Sequence, residues 1–366
     1  MEKLDRMGVR LTFFMLIVYF TAVSGLFGQS LQGKIYDKET EQPLDGATVY
    51  FDGTTALTIT NDEGFFTISG NGNSSNDLVI SYIGYTTYRI SNPFAYSGKA
   101  MKIYLYKSET KLDEVVISRS PFSRKQLLEV FRKQFLGESK AGKSCEILNE
   151  DDIDIYYDVS NNTLNASSDN ALRIRNNFLK YEVRFDQLEF KLNYYTTSIA
   201  AFDIRRSAYA GSTVFIDLSK NGAADKKRLK SYLGSSAHLM RTISNNNNWE
   251  SQPFSLFVGD SKINPSEYFK VTDTLNVKKI RLIKVPKAMK IGKDGVKTME
   301  KTYFSVFYKN ADFSGMEFVA PKILVDDNGN YAPVYGVVFG GYLGSLKAGD
   351  LLPRDYYESI KDIINK

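Results

Sequence analysis

The chain has 366 residues, of which 43% are hydrophobic and 24% charged; this composition excludes an intrinsically disordered protein and leaves room for two or three domains. Its 47 Lys and Arg residues are spread among 42 Asp and Glu residues, so the net charge of +5 gives no reason to expect nucleic-acid binding. An aromatic content of 13% favours strands, because aromatic side chains fit half-buried sheet surfaces, and indicates a mainly β or α+β fold.

The first 28 residues have the order of a secretory signal peptide. Basic residues within positions 1–10 precede an uncharged apolar stretch over residues 11–27, with small residues around Ser24 to Gly28 at its end. Cleavage after Ser24 or Gly28 is expected, which predicts an exported protein. The alternative is an uncleaved anchor, since an apolar run of about seventeen residues is near the lower limit for crossing a bilayer.

Residues 30–107 contain short runs in which apolar and polar residues alternate, separated by Gly, Asp and Asn. Closely spaced strands of this kind predict a β-sandwich. Three turn sequences lie between the runs, EQPLDGA at 41–47, TNDEGFF at 60–66 and SYIGY at 81–85, and each contains the Gly that a turn or strand end favours. The alternating runs are Gly33 and Ile35; Ala47, Val49 and Phe51; Phe66 and Ile68; Leu78, Val79 and Ile80; and Ile103 and Leu105.

These turn sequences, together with the Gly33-Lys34-Ile35 strand, resemble the carboxypeptidase regulatory-like domain of bacterial envelope proteins. The resemblance implies a prealbumin-like β-sandwich that acts as an accessory module and is not the peptidase itself. Proteins with this domain include outer-membrane receptors, and residues 112–117 within a predicted linker at 108–120 resemble the segment that follows the domain there. About 250 residues remain after Ile117, fewer than the transport part of such a receptor needs, so a receptor is not expected.

Residues 121–366 are predicted to form a mixed α+β domain with mostly antiparallel strands. An amphipathic helix is expected between Ser123 and Gly137, a second helix over 225–244, and a hairpin turn at 327–330. The predicted helical core positions, including those of a short last helix, are Leu127, Leu128, Phe131 and Phe135; Leu229, Leu233, Leu239, Met240 and Ile243; and Tyr357, Ile360 and Ile364. Strands are predicted at 153–157, 172–174, 181–185, 190–194, 214–216, 280–283, 303–307, 323–325 and 335–339.

Cys145 and His238 are the only cysteine and histidine, so the chain has neither an internal disulfide nor the usual ligands of a catalytic zinc. We expect Cys145 to be a small buried hydrophobic residue, with pairing to another chain as the alternative. His238 lies among apolar residues of a predicted helix with no G-x-S-x-G sequence nearby. A structural role, hydrogen bonding at a seam between domains, is therefore expected rather than a serine triad.

Adjacent acids occur at 151–154 and at 326–327, and both are interpreted as solvated turns. A catalytic carboxylate pair in the second domain is the alternative, because distant acids can meet in a cleft. Neither 61–63 nor 326–330 has the spacing of an EF-hand calcium loop. The Gly-rich sequence at 336–341 lacks the Lys-Ser/Thr of a phosphate-binding loop and is interpreted as a strand ending in a turn.

A basic stretch from position 278 to 301 carries nine Lys and Arg residues against two acids. A solvated hairpin whose lysines protect strand edges is the expected structure. The alternative is a surface that faces anionic lipid headgroups or acidic polysaccharide.

Together these patterns predict a non-enzymatic, exported accessory or binding protein of the cell envelope, located in the periplasm or at the outer membrane. Its expected partner is an envelope protein or a polysaccharide, with contact to a membrane surface as a further option and no nucleic acid. The alternative function is a glycan or peptide hydrolase. Residues 151–157, 164–168, 234–241 and 350–356 also resemble the rest of a short envelope family, but this resemblance implies no activity. No catalytic, cofactor-binding or metal-ligating residue is assigned.

Overall fold

The computed structural model describes residues 29–70, 76–108, 120–245, 249–274, 277–291 and 297–364. The predicted signal peptide at 1–28 and the receptor-like segment at 112–117 lie outside these residues. Among the described residues, no helix is long and apolar enough to cross a membrane.

The N-terminal part is the predicted prealbumin-like β-sandwich, which is confirmed. One sheet has the order β4-β1-β7, with β1 antiparallel to β4 and parallel to β7, and the other has the order β3-β2-β5-β6. Alternate residues of each strand meet between the sheets, where Ile35, Val49 and Leu78 are fully buried. The strands are β1 (Gln29–Asp37), β2 (Thr48–Phe51), β3 (Leu57–Ile59), β4 (Phe65–Gly70), β5 (Leu78–Ser81), β6 (Tyr88–Ile90) and β7 (Ala100–Leu105).

The middle of the chain packs a helix on a six-stranded antiparallel sheet. The helix α1 begins where the Ser123 hydroxyl accepts a hydrogen bond from the Gln126 N–H, and it ends at Gly137 with a φ of 88°. Its buried face carries Phe131 and Phe135, which stack on each other against the sheet. The elements are α1 (Arg124–Leu136), α2 (Lys140–Lys143), β8 (Cys145–Ile147), β9 (Asp154–Asp158), β10 (Thr163–Ser168), β11 (Leu172–Asn176), β12 (Tyr181–Tyr194) and β13 (Ile204–Asp217).

The strands predicted separately at 181–185 and 190–194 are wrong as two elements, because they form the single strand β12. Along one edge β12 pairs with β11 and then β10, and along the other it pairs with β13. A bulge between Asp186 and Glu189, with Gln187 at a φ of 52°, shifts the register midway. The interruption that separates the two apolar runs in the sequence is this bulge, and the strand continues through it.

The C-terminal part places two antiparallel sheets around a core of its own, completing the α+β region that was predicted. The sheets have the orders β15-β14-β20-β21-β24 and β16-β17-β22-β23, and β18 and β19 form a separate hairpin. The elements are α3 (Asp225–Tyr232), α4 (Ser236–Asn245), β14 (Phe254–Val258), β15 (Ser261–Ile263), β16 (Phe269–Thr274), β17 (Val277–Leu282), β18 (Lys287–Ile291), β19 (Lys297–Lys301), β20 (Phe304–Tyr308), β21 (Asp312–Phe318), β22 (Lys322–Val325), β23 (Tyr331–Ala332), β24 (Val337–Phe339), α5 (Gly341–Ser345) and α6 (Tyr356–Ile364).

The single helix predicted over 225–244 is wrong, because the chain forms α3 and α4 with a break between them. Gly234 in the break has a φ of 88°, which a helix does not allow. The predicted hairpin turn at 327–330 is confirmed, since it joins the paired strands β22 and β23. The hairpin predicted over the basic stretch is confirmed only for its second part, where β18 pairs with β19. Its first part forms β17, which lies between β16 and β22 in another sheet.

Candidate functional site

The sandwich is attached to the rest of the molecule by the loop between β2 and β3. The Gly53 N–H donates to the Thr213 carbonyl (2.6 Å), and the Thr54 carbonyl accepts from the Phe215 N–H (2.9 Å). On its other side, the Gly53 carbonyl accepts from the Arg354 N–H (2.7 Å). The loop therefore lies between β13 and the segment that leads into α6, and three distant parts of the sequence meet there.

A buried carboxylate strengthens this seam. Asp186, beside the bulge of β12, accepts hydrogen bonds from the Tyr50 hydroxyl and from the Ser81 hydroxyl (3.0 Å) of the sandwich. Burial raises the pKa of Asp186. Since a buried carboxylate without partners is costly, the two hydroxyls hold the sandwich at one position on the sheet.

Tyr50→Phe is expected to lower the free energy of unfolding by about 2 kcal/mol, because it removes one of the two hydrogen bonds to a buried carboxylate. Tyr88→Phe is the matched control: Tyr88 is 44% exposed, and its variant is expected to change stability by less than about 0.5 kcal/mol. Urea unfolding of both variants measures the difference. Equal stability of the two variants would show that the Tyr50 hydroxyl does not support the seam.

A cavity of about 900 Å³ opens beside the seam, and we call it the junction cavity. All three parts of the chain line it: Phe51 from the sandwich, Tyr181 from the middle, and Leu229 of α3 with Tyr356 and Ile360 of α6 from the C-terminal part. The wall combines apolar and aromatic side chains with polar and charged ones, and the volume lies in the range of ligand-binding pockets.

Three polar side chains of the cavity wall have oxygen atoms without a hydrogen-bond partner among the described residues. They are the side-chain carbonyl of Asn328, one carboxylate oxygen of Asp355 and the hydroxyl of Tyr356. The other oxygen of Asp355 accepts from the Thr55 hydroxyl (2.8 Å), which orients the carboxylate. Tyr356 is only 7% exposed, and burial raises the pKa of its hydroxyl to about 12. All three atoms are almost fully covered by the surrounding protein, so a ligand in the cavity reaches them only when side chains of the wall move.

One of the two basic groups in the wall, the guanidinium of Arg228, already has partners within the protein. The Arg228 guanidinium donates to both carboxylate oxygens of Asp217 (2.7 and 2.8 Å) and to the carbonyls of Leu179 and Lys180, and it stacks on the Tyr181 ring. These hydrogen bonds lower the pKa of Asp217. The pair stabilises the wall, and its donors and acceptors are used within the protein.

His238 was predicted to form hydrogen bonds at a seam between domains, but it is buried within the C-terminal part, beside α3 and β14. Its Nδ1 accepts a hydrogen bond from the Gly234 N–H (3.0 Å), and its ring packs against those of Tyr232 and Phe254. Burial lowers its pKa to about 4, so the ring is neutral at pH 7. It does not line the junction cavity.

The predicted acid sites differ in their environment. Asp151, Asp152 and Asp154 are exposed, as expected for solvated turns. The same interpretation is wrong for Asp326, which is buried and accepts hydrogen bonds from the backbone N–H groups and side chain of the 327–330 turn. Burial raises the pKa of Asp326. The carboxylate orders the turn that carries Asn328 to the cavity.

Cys145 is half-buried rather than fully buried, and its thiol donates to the Ala141 carbonyl at 3.3 Å. Burial raises its pKa to about 12, which keeps the thiol protonated and unreactive at neutral pH. Among the described residues, no three His, Cys, Asp or Glu side chains are close enough to hold a metal ion.

The three unpaired groups of the cavity were not predicted as site residues. Asp355 and Tyr356 belong to the 350–356 sequence and Asn328 to the 327–330 turn, both of which stood out in the sequence. No periodicity or spacing connects the two segments, because their contact depends on the packing of α6.

Residues 31–117 match the model of the CarboxypepD_reg-like domain family, so the N-terminal part of the chain is such a domain. No curated protein matches the chain. Two solved structures with similarity are type II Cohesin-X-Dockerin complexes from Acetivibrio cellulolyticus, an N-terminal and a C-terminal interface mutant. The first is 19% identical over 31% of this chain and 82% of that chain, with a TM-score of 0.20, and the second 20% identical over 29% and 73%, with a TM-score of 0.19. Scores this low do not bear on the fold or the partners of this chain.

Proposed function

We propose that this protein, with its carboxypeptidase regulatory-like domain, is a non-enzymatic binding protein exported to the cell envelope, where it holds a protein or glycan partner in the junction cavity. The observation that carries the proposal is the set of three unpaired oxygens on Asn328, Asp355 and Tyr356. Buried acceptors without donors are costly, and the hydroxyls of a glycan or the N–H groups of a peptide supply such donors.

The docked sandwich supports a binding role in a second way. Phe51 of the sandwich forms part of the cavity wall, and the loop after it is held from two sides. An accessory domain that only spaced its neighbours apart would not need this attachment. Here it completes a pocket, and a rigid wall reduces the entropy lost on binding.

The positions of the acids favour binding over hydrolysis. A glycosidase needs a carboxylic acid with a raised pKa that faces a second carboxylate across the substrate. The buried acids with a raised pKa are Asp186, Asp326 and Asp350, and none of them lines the junction cavity. Four other carboxylates do line it, those of Asp217, Asp225, Asp355 and Glu358. Asp217 has a lowered pKa and is paired with Arg228, so it is not a proton donor.

Tyr356→Phe is expected to weaken partner binding about fivefold to tenfold and to leave the stability of the protein unchanged, since the lost hydroxyl has no partner within the described chain. A photocrosslinking residue in place of Lys226, which is exposed at the cavity, reports binding in intact cells. The same residue in place of Lys140 on α2 is the control. We expect Lys226 alone to capture a discrete envelope protein or glycan, with a lower yield in Tyr356→Phe.

The same crosslinking pattern from both positions, or an unchanged yield in Tyr356→Phe, would contradict the proposed site. Export is tested separately, by fractionation and by the N-terminus of the mature protein. Mass spectrometry is expected to find a chain that begins after Ser24 or Gly28. An intact N-terminus in the cytoplasmic fraction would contradict export without affecting the cavity.

A further inference from the structure

The outer face of the sheet β16-β17-β22-β23 carries a row of like charges. Lys270 lies directly opposite Arg281 on the next strand, and Arg281 lies opposite Lys322 on the strand after that. Lys279 stands one row further along on the same face, since its neighbour Ile280 is fully buried on the other. We call these four residues the cationic face.

No acid neutralises these charges among the described residues. Two lysines of the β18–β19 hairpin do have partners, as Lys290 pairs with Glu300 (3.0 Å) and Lys301 with Glu317 (2.8 Å). None of the cationic face residues forms an ion pair within the described part of the chain. Like charges opposite each other on adjacent strands repel and destabilise the sheet. An anion bound from outside would therefore reduce the electrostatic repulsion between these side chains.

Exposed apolar residues border the cationic face at one end of the sheet. The Ile283 N–H donates to the Tyr268 carbonyl (2.8 Å), and the Val319 N–H donates to the Gly336 carbonyl (2.9 Å). These segments lie at the end of the sheet where β17 ends and where β16 and β22 begin. The apolar side chains here are 51–79% exposed, and we call them the apolar rim. They are Ile283, Val319, Val334 and Tyr335.

We propose that the cationic face and the apolar rim together dock the protein on an anionic lipid bilayer. Lys and Arg attract anionic headgroups, while aliphatic side chains and tyrosine favour the boundary between headgroups and acyl chains. An acidic polysaccharide would use the cations alone and leave the apolar rim in water. A membrane surface accounts for the cations and the exposed apolar residues together, because it presents anionic headgroups beside an apolar layer.

This surface is separate from the junction cavity, and none of its residues lines that cavity. Membrane docking rests on the proposed export in one respect only, because export determines which membrane the protein encounters. Binding to vesicles in vitro does not depend on export, so the two proposals fail independently.

The test is cosedimentation of the protein, purified with the N-terminus that cells leave on it, with two kinds of vesicle. One kind is phosphatidylcholine alone, and the other contains one third phosphatidylglycerol. The face variant carries Lys270→Gln, Arg281→Gln and Lys322→Gln. The control variant removes the same charge at exposed positions on other elements, with Lys125→Gln, Lys140→Gln and Lys143→Gln.

We expect wild type and control variant to bind the anionic vesicles more tightly than the neutral ones, and to be released by salt. In the face variant the affinity for anionic vesicles is expected to fall roughly 100-fold, since each cation near an anionic surface contributes about fivefold. Its thermal midpoint at low salt is expected to equal or exceed that of wild type, because the repulsion is gone, which separates lost binding from misfolding.

A second variant, Ile283→Ser with Tyr335→Ser, tests the apolar rim, and polygalacturonate serves as a soluble polyanion. The rim variant is expected to bind vesicles more weakly and polygalacturonate as wild type does. Equal affinity of the face and control variants, or no preference for anionic vesicles, would overturn the proposal. Polygalacturonate binding that depends on the face, combined with no effect of the rim variant on vesicles, would also overturn it in favour of an acidic polysaccharide.

Discussion

Gly329→Ala is expected to lower the free energy of unfolding by about 4 kcal/mol, from the combined cost of a left-handed backbone and of overpacking. Gly329 has a φ of 88°, and a Cβ there would lie 2.0 Å from the Ala237 carbonyl oxygen. That oxygen belongs to the first turn of α4 and cannot move without moving the helix. The turn that carries Asn328 would therefore separate from α4.

Gly84→Ala is the matched control for this prediction. Gly84 has a similar φ of 79°, but nothing lies within 4 Å of the position its Cβ would take. Only the backbone cost remains, about 1–2 kcal/mol. Circular dichroism in urea follows the unfolding of the whole protein in both variants, and the fluorescence of Trp249, the only tryptophan and buried in the C-terminal core, follows that core. Equal losses in the two variants would show that α4 and the turn are not in tight contact.

Acidification is expected to destabilise the protein through His238. The pKa of His238 is lowered from 6.5 to about 4 in the folded state, so the unfolded chain takes up the proton first as the pH falls. The contribution to stability is complete above pH 6.5 and is lost between pH 6.5 and pH 4. At the end of this range the loss amounts to about 3 kcal/mol.

His238→Gln removes this titration, and because the chain has a single histidine the assignment is unambiguous. Buried acids with raised pKa, such as Asp186 and Asp326, titrate in the opposite sense and remain in both proteins. The measured quantity is therefore the difference between wild type and variant in urea unfolding from pH 7 to pH 4. Parallel stability curves would mean that His238 is not buried in its neutral form.

The two proposed binding surfaces, the junction cavity and the cationic face, are formed by different parts of the chain. The junction cavity needs the sandwich, because Phe51 lines it and the β2–β3 loop fixes its edge. The cationic face belongs to the C-terminal sheet alone. A protein that docked on a membrane through this sheet would keep the cavity free for a partner, and each function can be removed by mutation without removing the other.

Local patterns in the sequence determined much of the fold. The sandwich strands followed from period-two alternation and from Gly at turns, and α1 followed from its apolar face between Ser123 and Gly137. The hairpin at 327–330 followed from its turn residues. The errors occurred where one residue changed the backbone direction, at the bulge beside Asp186 and at the helix break at Gly234, because periodicity does not distinguish a bulge or break from the end of an element.

The sequence by itself also limited the possible chemistry, because a single histidine and a single cysteine restrict the metal-binding and nucleophilic sites that any fold of this chain could form. Only the tertiary structure decided where the polar groups go. Asp326 was expected in solvent and is buried, because its turn contacts α4 and Asn330 in this turn donates a hydrogen bond to the Arg354 carbonyl. Asn328 and Tyr356 line the same cavity only through the long-range packing of α6. The row of Lys270, Arg281 and Lys322 likewise depends on strand register, which is set by long-range pairing and not by local composition.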